Sequence, residues 1–87
     1  MVIHNVMEEA VQDLLERYWD QLPLSCHCET CKADVFALCM NQLQPRYASH
    51  SVGSMYAKAN LMTDQARATI LTAITESAKT VSTHPHH

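Results

Sequence analysis

The chain has 87 residues, a formal net charge of −3 with only six Lys and Arg, and a hydrophobic content of 47%. That length allows one domain with a modest core, of the size that often adds a metal, a disulfide or a second subunit. The hydrophobic content excludes a disordered chain, and the shortage of basic residues excludes the broad cationic face that direct DNA binding needs.

The first predicted helix begins after Asn5, which can cap it, and Glu8 three residues later makes an Asn version of the capping box. Met7, Ala10, Val11, Leu14, Leu15 and Tyr18 then recur at three- and four-residue steps and form one apolar face. Glu9, Asp13, Glu16, Arg17 and Asp20 fall mostly on the other face, and Pro23 forbids much continuation. A second helix is expected from about Cys31 to Leu43, with Thr30 as its cap and Asp34 suited to the positive end of the helix dipole. Val35, Leu38, Cys39, Gln42 and Leu43 define its inner stripe. Pro45 ends it and biases Gln44 towards an extended backbone.

Arg46 to Ser54 reads as extended or loop, and Gly53, the one glycine, suits a turn with positive φ. A short helical piece is expected from Ser54 to Leu61. Thr63 and Asp64 open the last helix, which carries Ala66, Ile70, Ala73, Ile74, Ser77 and Val81 on one face. About eighteen residues of helix would reach roughly 27 Å. An alanine-rich seam on so long a terminal helix suits either an oligomer contact or packing within the chain. Residues 1–83 therefore read as one domain. His84-Pro85-His86-His87 is set aside as a tail.

No stretch is apolar for long enough to span a membrane. The opening Met1-Val2-Ile3-His4-Asn5 lacks the basic-then-apolar pattern of an export signal. The expected compartment is the cytoplasm, where thiols stay reduced and a disulfide staple is disfavoured.

That expectation bears on the cysteines. Cys26, Cys28 and Cys31 lie within six residues, and Cys39, the only other, follows eight residues later. Zinc takes four soft or borderline ligands in a tetrahedron, and the C-x-x-C spacing of Cys28 and Cys31 lets both thiolates reach one ion from a tight turn. Cys26 can join from the preceding segment. Cys39 is the natural fourth ligand, but eight helical residues would separate it from Cys31 by about 12 Å along the axis. It joins only if the loop folds back or the helix starts late. His27, water or a partner chain are the other candidates, and a buried structural thiol is the plain alternative for Cys39. A thioredoxin-like redox pair lacks its strand–helix setting. A catalytic zinc lacks a nearby general base.

The run Cys26-x-Cys28-x-x-Cys31-Lys32-Ala33-Asp34-Val35-Phe36-Ala37-Leu38-Cys39-Met40-Asn41-Gln42-Leu43-Gln44-Pro45-Arg46-Tyr47 resembles the late competence development protein ComFB family. That family shows C-x-C-x-x-C, two residues, an Asp, an A-L-x-L-N run and then L-P-P-R-Y. Asn5-Val6-Met7-Glu8-Glu9-x-Val11 is similar to its N-terminal helix, so the resemblance covers about residues 5–54. Gln44 replaces the first proline of the pair and Met40 the usual leucine; Pro45 keeps the turn. The last helix carries no family motif.

The resemblance implies a small helical homodimer with a cysteine-bound zinc in each subunit, Cys39 among the ligands, and no catalysis. It also implies a receptor for cyclic di-GMP. The residue chemistry suits such a ligand. Arg46 can pair with a phosphate or a guanine edge, Tyr47 can stack on a base, and Asp34 can accept from guanine donors. Lys32 can neutralise a phosphate, and Asn41 can bond a base edge. The plainer readings are a first-turn helix charge for Asp34, a helix-end residue for Asn41, a solvated Lys32 and a core Tyr47. The expected architecture is all-α: three to four helices, a cysteine zinc loop before the second helix, and a homodimer. The expected function is a non-enzymatic signalling or adaptor protein. A protein–protein adaptor in competence or motility regulation, with no small ligand, and a thiol redox sensor are the alternatives.

Overall fold

A computed structural model describes residues 3–49 and 59–83 of the chain. The expected turn at Gly53, most of the expected Ser54–Leu61 helix and the tail lie outside these residues. Helix α1 spans Val6–Tyr18, α2 spans Glu29–Gln42 and α3 spans Asp64–Thr83. A 3-10 turn, Trp19–Gln21, follows α1. Residues 59–61 are helical, and Thr63 then caps α3 by accepting the Ala66 N–H at 3.2 Å. Helices α2 and α3 form the largest interhelical contact, and α1 packs on both. The helical bundle expected from periodicity is therefore what forms.

The bundle also carries a minimal sheet that periodicity did not show. Strands β1 (His4–Asn5) and β2 (Tyr47–Ala48) pair antiparallel, with His4 opposite Ala48 and Asn5 opposite Tyr47. The ladder is two residues long, too short for any alternation to register.

The core is made chiefly by the faces named above, although Gln42, expected on the inner stripe of α2, is exposed. Met7, Val11, Leu14 and Leu15 are buried from α1, joined by Val6, whose place at the first helical position lies ahead of the repeating pattern. Cys31, Val35 and Cys39 are buried from α2. From α3, Ile70, Ala73, Ile74, Ser77, Ala78 and Val81 are all buried. The alanine-rich seam of α3 is thus consumed within the chain. The small side chains let α2 approach closely, and Gln42 Nε2 donates to the buried Ser77 Oγ at 3.2 Å so that this polar group has a partner. On the rest of α3 the threonine hydroxyls of Thr69, Thr72, Thr75, Thr80 and Thr83 bond back to the carbonyl four residues earlier. That satisfies the hydroxyls without help from neighbours.

The start of α2 differs from the expected one. The helix begins at Glu29 rather than near Cys31, and its cap is Cys28 rather than Thr30. Cys28 sits in extended backbone, φ −81° and ψ 170°, and its Sγ accepts the Cys31 N–H at 3.5 Å. The sulfur does what a serine or aspartate oxygen does at an ordinary cap, and cap preferences, which rank oxygen side chains first, do not anticipate it.

Candidate metal centre

The approach to the site is a turn after α1. Leu22 N–H closes on Trp19 O at 3.3 Å and Leu24 N–H on Leu22 O at 2.8 Å, and buried Leu22 anchors the segment. The chain then runs through Ser25 to the cysteines. Ser25 N–H donates to Ser82 Oγ of α3 at 3.1 Å. Cys28 closes the first turn of α2 with its sulfur and with its carbonyl, which accepts Lys32 N–H at 3.0 Å.

These contacts gather Cys26, Cys28 and Cys31, whose sulfur atoms all lie within 4.8 Å of one another. None of the four cysteines is in a disulfide; Cys26 and Cys28 are half-buried and Cys31 is buried. A tetrahedral site with metal–sulfur bonds near 2.3 Å needs sulfurs about 4 Å apart. The three side chains are thus within a small adjustment of holding one ion. Their electrostatics point the same way. The Cys28 thiol is pulled down to about 6, first by the Cys31 backbone N–H that its sulfur accepts. The Cys31 thiol is pushed up to about 12, first by burial and then by hydrogen bonds and like charge from Cys28 and Cys26. Cys28 is ready as a thiolate, and a second thiolate beside it is resisted. A bound cation removes that resistance, because it attracts every thiolate at once.

The described residues supply three such ligands to this group and no fourth. His27 is exposed and sets its ring against Trp19, centroids 5.1 Å apart and planes at 77°. Cys39 is not brought to the cluster. Helix α2 is unbroken from Glu29 to Gln42, so Cys31 and Cys39 stand about 12 Å apart along its axis. Cys39 is fully buried in the core, and burial pushes its thiol up to about 11. It packs as a small neutral hydrophobe.

The other five residues singled out from the sequence divide between the two ends of α2. Lys32 stands at the metal end, half-buried, with Nζ 2.6 Å from Glu16 Oε1 and 5.6 Å from the Trp19 ring centroid. It is neither solvated nor free. It lines a cleft of about 300 Å³ between α1 and α2, with Glu8, Glu16, Glu29 and Phe36. Asp34 is half-buried two residues on, and its Oδ2 finds no hydrogen-bond partner among the described residues. Asn41 is exposed at the far end of α2. Arg46 is exposed, and Tyr47 is 69% exposed rather than part of the core. Their backbone is held: Arg46 N–H donates to Asn5 Oδ1 at 2.8 Å, and Arg46 O accepts Val6 N–H at 2.7 Å. Asn5 was legible as a helix cap. Its second role, and those of Glu16, Trp19 and Ser82, left no signal in local spacing.

The family model for the late competence development protein ComFB matches residues 4–85 of this sequence. The chain belongs to that family. It is similar to the competence protein ComFB of Bacillus subtilis (strain 168), with 38% identity over 81 residues, covering 93% of this chain and 83% of that protein. A solved structure of the late competence protein ComFB from Bacillus subtilis matches with a TM-score of 0.85 at 37% identity, over 97% of this chain and 92% of that one. The match runs through α3, although that helix shows no family motif to the eye. Among the described residues, no helix is long and apolar enough to cross a membrane.

Proposed function

We propose that this member of the ComFB family is a non-enzymatic cytoplasmic signalling or adaptor protein that works as a zinc-stapled homodimer and binds cyclic di-GMP through Arg46 and Tyr47. The observation that carries the ligand reading is an exposed arginine and an exposed aromatic ring on consecutive residues of a backbone clamped by Asn5 and Val6. A clamped backbone lowers the entropy lost on binding. The guanidinium suits a phosphate or a guanine edge, and the ring suits a base. Asn41 shares this end of α2. Lys32, committed to Glu16, belongs to the other end and to the metal loop.

Cys26, Cys28 and Cys31 would hold the zinc, with water or another group completing the tetrahedron. The ion supplies positive charge that lets three thiolates sit together, and it fixes the entry to α2. Elemental analysis is expected to find one zinc per chain. Calorimetric titration with cyclic di-GMP is expected to give heat with the native chain and none with Arg46→Ala. No heat from the native chain at high micromolar protein would remove the ligand, and the adaptor reading would then stand. Sedimentation measures the dimer directly.

One observation favours a redox sensor as a second reading. Cys28, held down to about 6, lies with its sulfur within 4.8 Å of those of Cys26 and Cys31, and none of the three is in a disulfide. Oxidation by peroxide would join two of the sulfurs, release two protons and two electrons, and reduce the peroxide to water. Reversible zinc release under mild peroxide supports this reading, and zinc that stays bound counts against it.

A further inference from the structure

The loop that carries the cysteines is fastened to the other end of the chain. Ser82 Oγ accepts the Ser25 N–H at 3.1 Å and donates to Ser25 Oγ at 3.3 Å, across 57 residues of sequence. Ser25 adjoins Cys26. Ser82 lies in the last turn of α3, next to buried Val81.

The three cysteines are not equally well supported. Cys28 and Cys31 belong to the cap and first turn of α2, so the helix itself sets their positions. Cys26 precedes the helix in a segment with no regular structure, and its place depends on what holds that segment. The Ser25–Ser82 pair is a two-bond tie at the adjacent residue.

We infer that Ser82 is a positioning residue for the metal loop, and that metal occupancy is coupled through the Ser25–Ser82 pair to the docking of the last turn of α3. This rests on the proposed metal site. The tie restrains Cys26 before the ion arrives, so less ordering remains to be done on binding. Coupling is reciprocal: an ion that fixes the loop also strengthens the hold on α3. The C-terminal end of the helix therefore reports whether the site is loaded.

The test measures zinc affinity by competition with a chromophoric chelator, and amide hydrogen exchange with and without zinc, on the full chain. In the native protein, zinc removal is expected to speed exchange in residues 22–28 and also in residues 79–83. Ser82→Ala is expected to weaken zinc about three- to tenfold, the range that one or two net hydrogen bonds supply. Exchange at its α3 end is expected to be fast and indifferent to zinc. Ser82→Thr, which keeps the hydroxyl, is expected to restore both. Helix propensity alone predicts the opposite sign at α3, since alanine is the better helix former. Zinc bound equally well by Ser82→Ala, or an α3 end that ignores zinc in the native chain, would overturn the inference alone. A native chain that binds no zinc would overturn the metal reading and the inference together.

Discussion

The side-chain oxygen of Asn5 accepts two backbone N–H groups, that of Met7 at 3.1 Å and that of Arg46, 41 residues downstream, at 2.8 Å. One atom both caps α1 and clamps the turn that presents Arg46 and Tyr47. The start of the first helix and the candidate ligand surface are a single structural unit.

Asn5→Ala should therefore cost more than an ordinary cap. Loss of the cap alone is worth about 1 kcal/mol, and the unpaired Arg46 N–H adds a similar amount, for roughly 2 kcal/mol in all. Urea unfolding measures it. Asn5→Asp keeps the acceptor and should lose much less. Under the proposed ligand reading, Asn5→Ala should also weaken cyclic di-GMP binding without removing any ligand-contacting group.

The two classes of cysteine should separate cleanly. Cys31→Ser is expected to abolish stoichiometric zinc and lower thermal stability, because metal binding and folding are linked in small sites. Cys39→Ala is expected to keep one zinc per chain and cost about 1 kcal/mol from the lost buried sulfur. Elemental analysis of the two variants checks both. Loss of zinc from Cys39→Ala would restore Cys39 as a ligand.

Zinc-loaded protein should lose stability in alkali. Burial raises the Cys39 thiol from its ordinary 9.0 to about 11. Between these values the unfolded chain gives up this proton and the folded chain keeps it, so the unfolded state binds fewer protons and stability falls as pH rises. The contribution is whole below about pH 9 and is lost on approach to pH 11, on the order of 2 kcal/mol. Chemical unfolding from pH 8 to 10.5 follows it. Cys39→Ala should flatten this part of the curve.

Lys32 should prove structural. Its ammonium joins Glu16 of α1 to α2 and lies over Trp19. Glu16 is largely exposed, so Lys32→Ala should cost no more than about 1 kcal/mol. Trp19 fluorescence should change, while cyclic di-GMP affinity should not. A large loss of affinity would place Lys32 in the ligand site instead.

Local patterning determined much of this protein. The three- and four-residue recurrence of Met7, Val11 and Leu14, and of Ile70, Ile74 and Val81, specified α1 and α3 and their buried faces, because burial along a helix repeats with its turn. The Cys26-x-Cys28-x-x-Cys31 spacing specified a thiol cluster, since three ligands so close in sequence need only one turn to meet. The order of cysteines, Asn41 and Pro45-Arg46-Tyr47 pointed to the family. Tertiary structure decided the rest. It made Cys28 the cap of α2, and it kept that helix unbroken from Cys31 to Cys39, which carries Cys39 away from the cluster and into the core. It also turned the alanine seam of α3 inward, against α2. The pairings of Asn5 with Arg46, Lys32 with Glu16 and Ser25 with Ser82 join residues far apart in the chain. A hydrogen bond or ion pair between distant segments leaves no periodicity in either one, and only the packing of the helices brings such partners within reach.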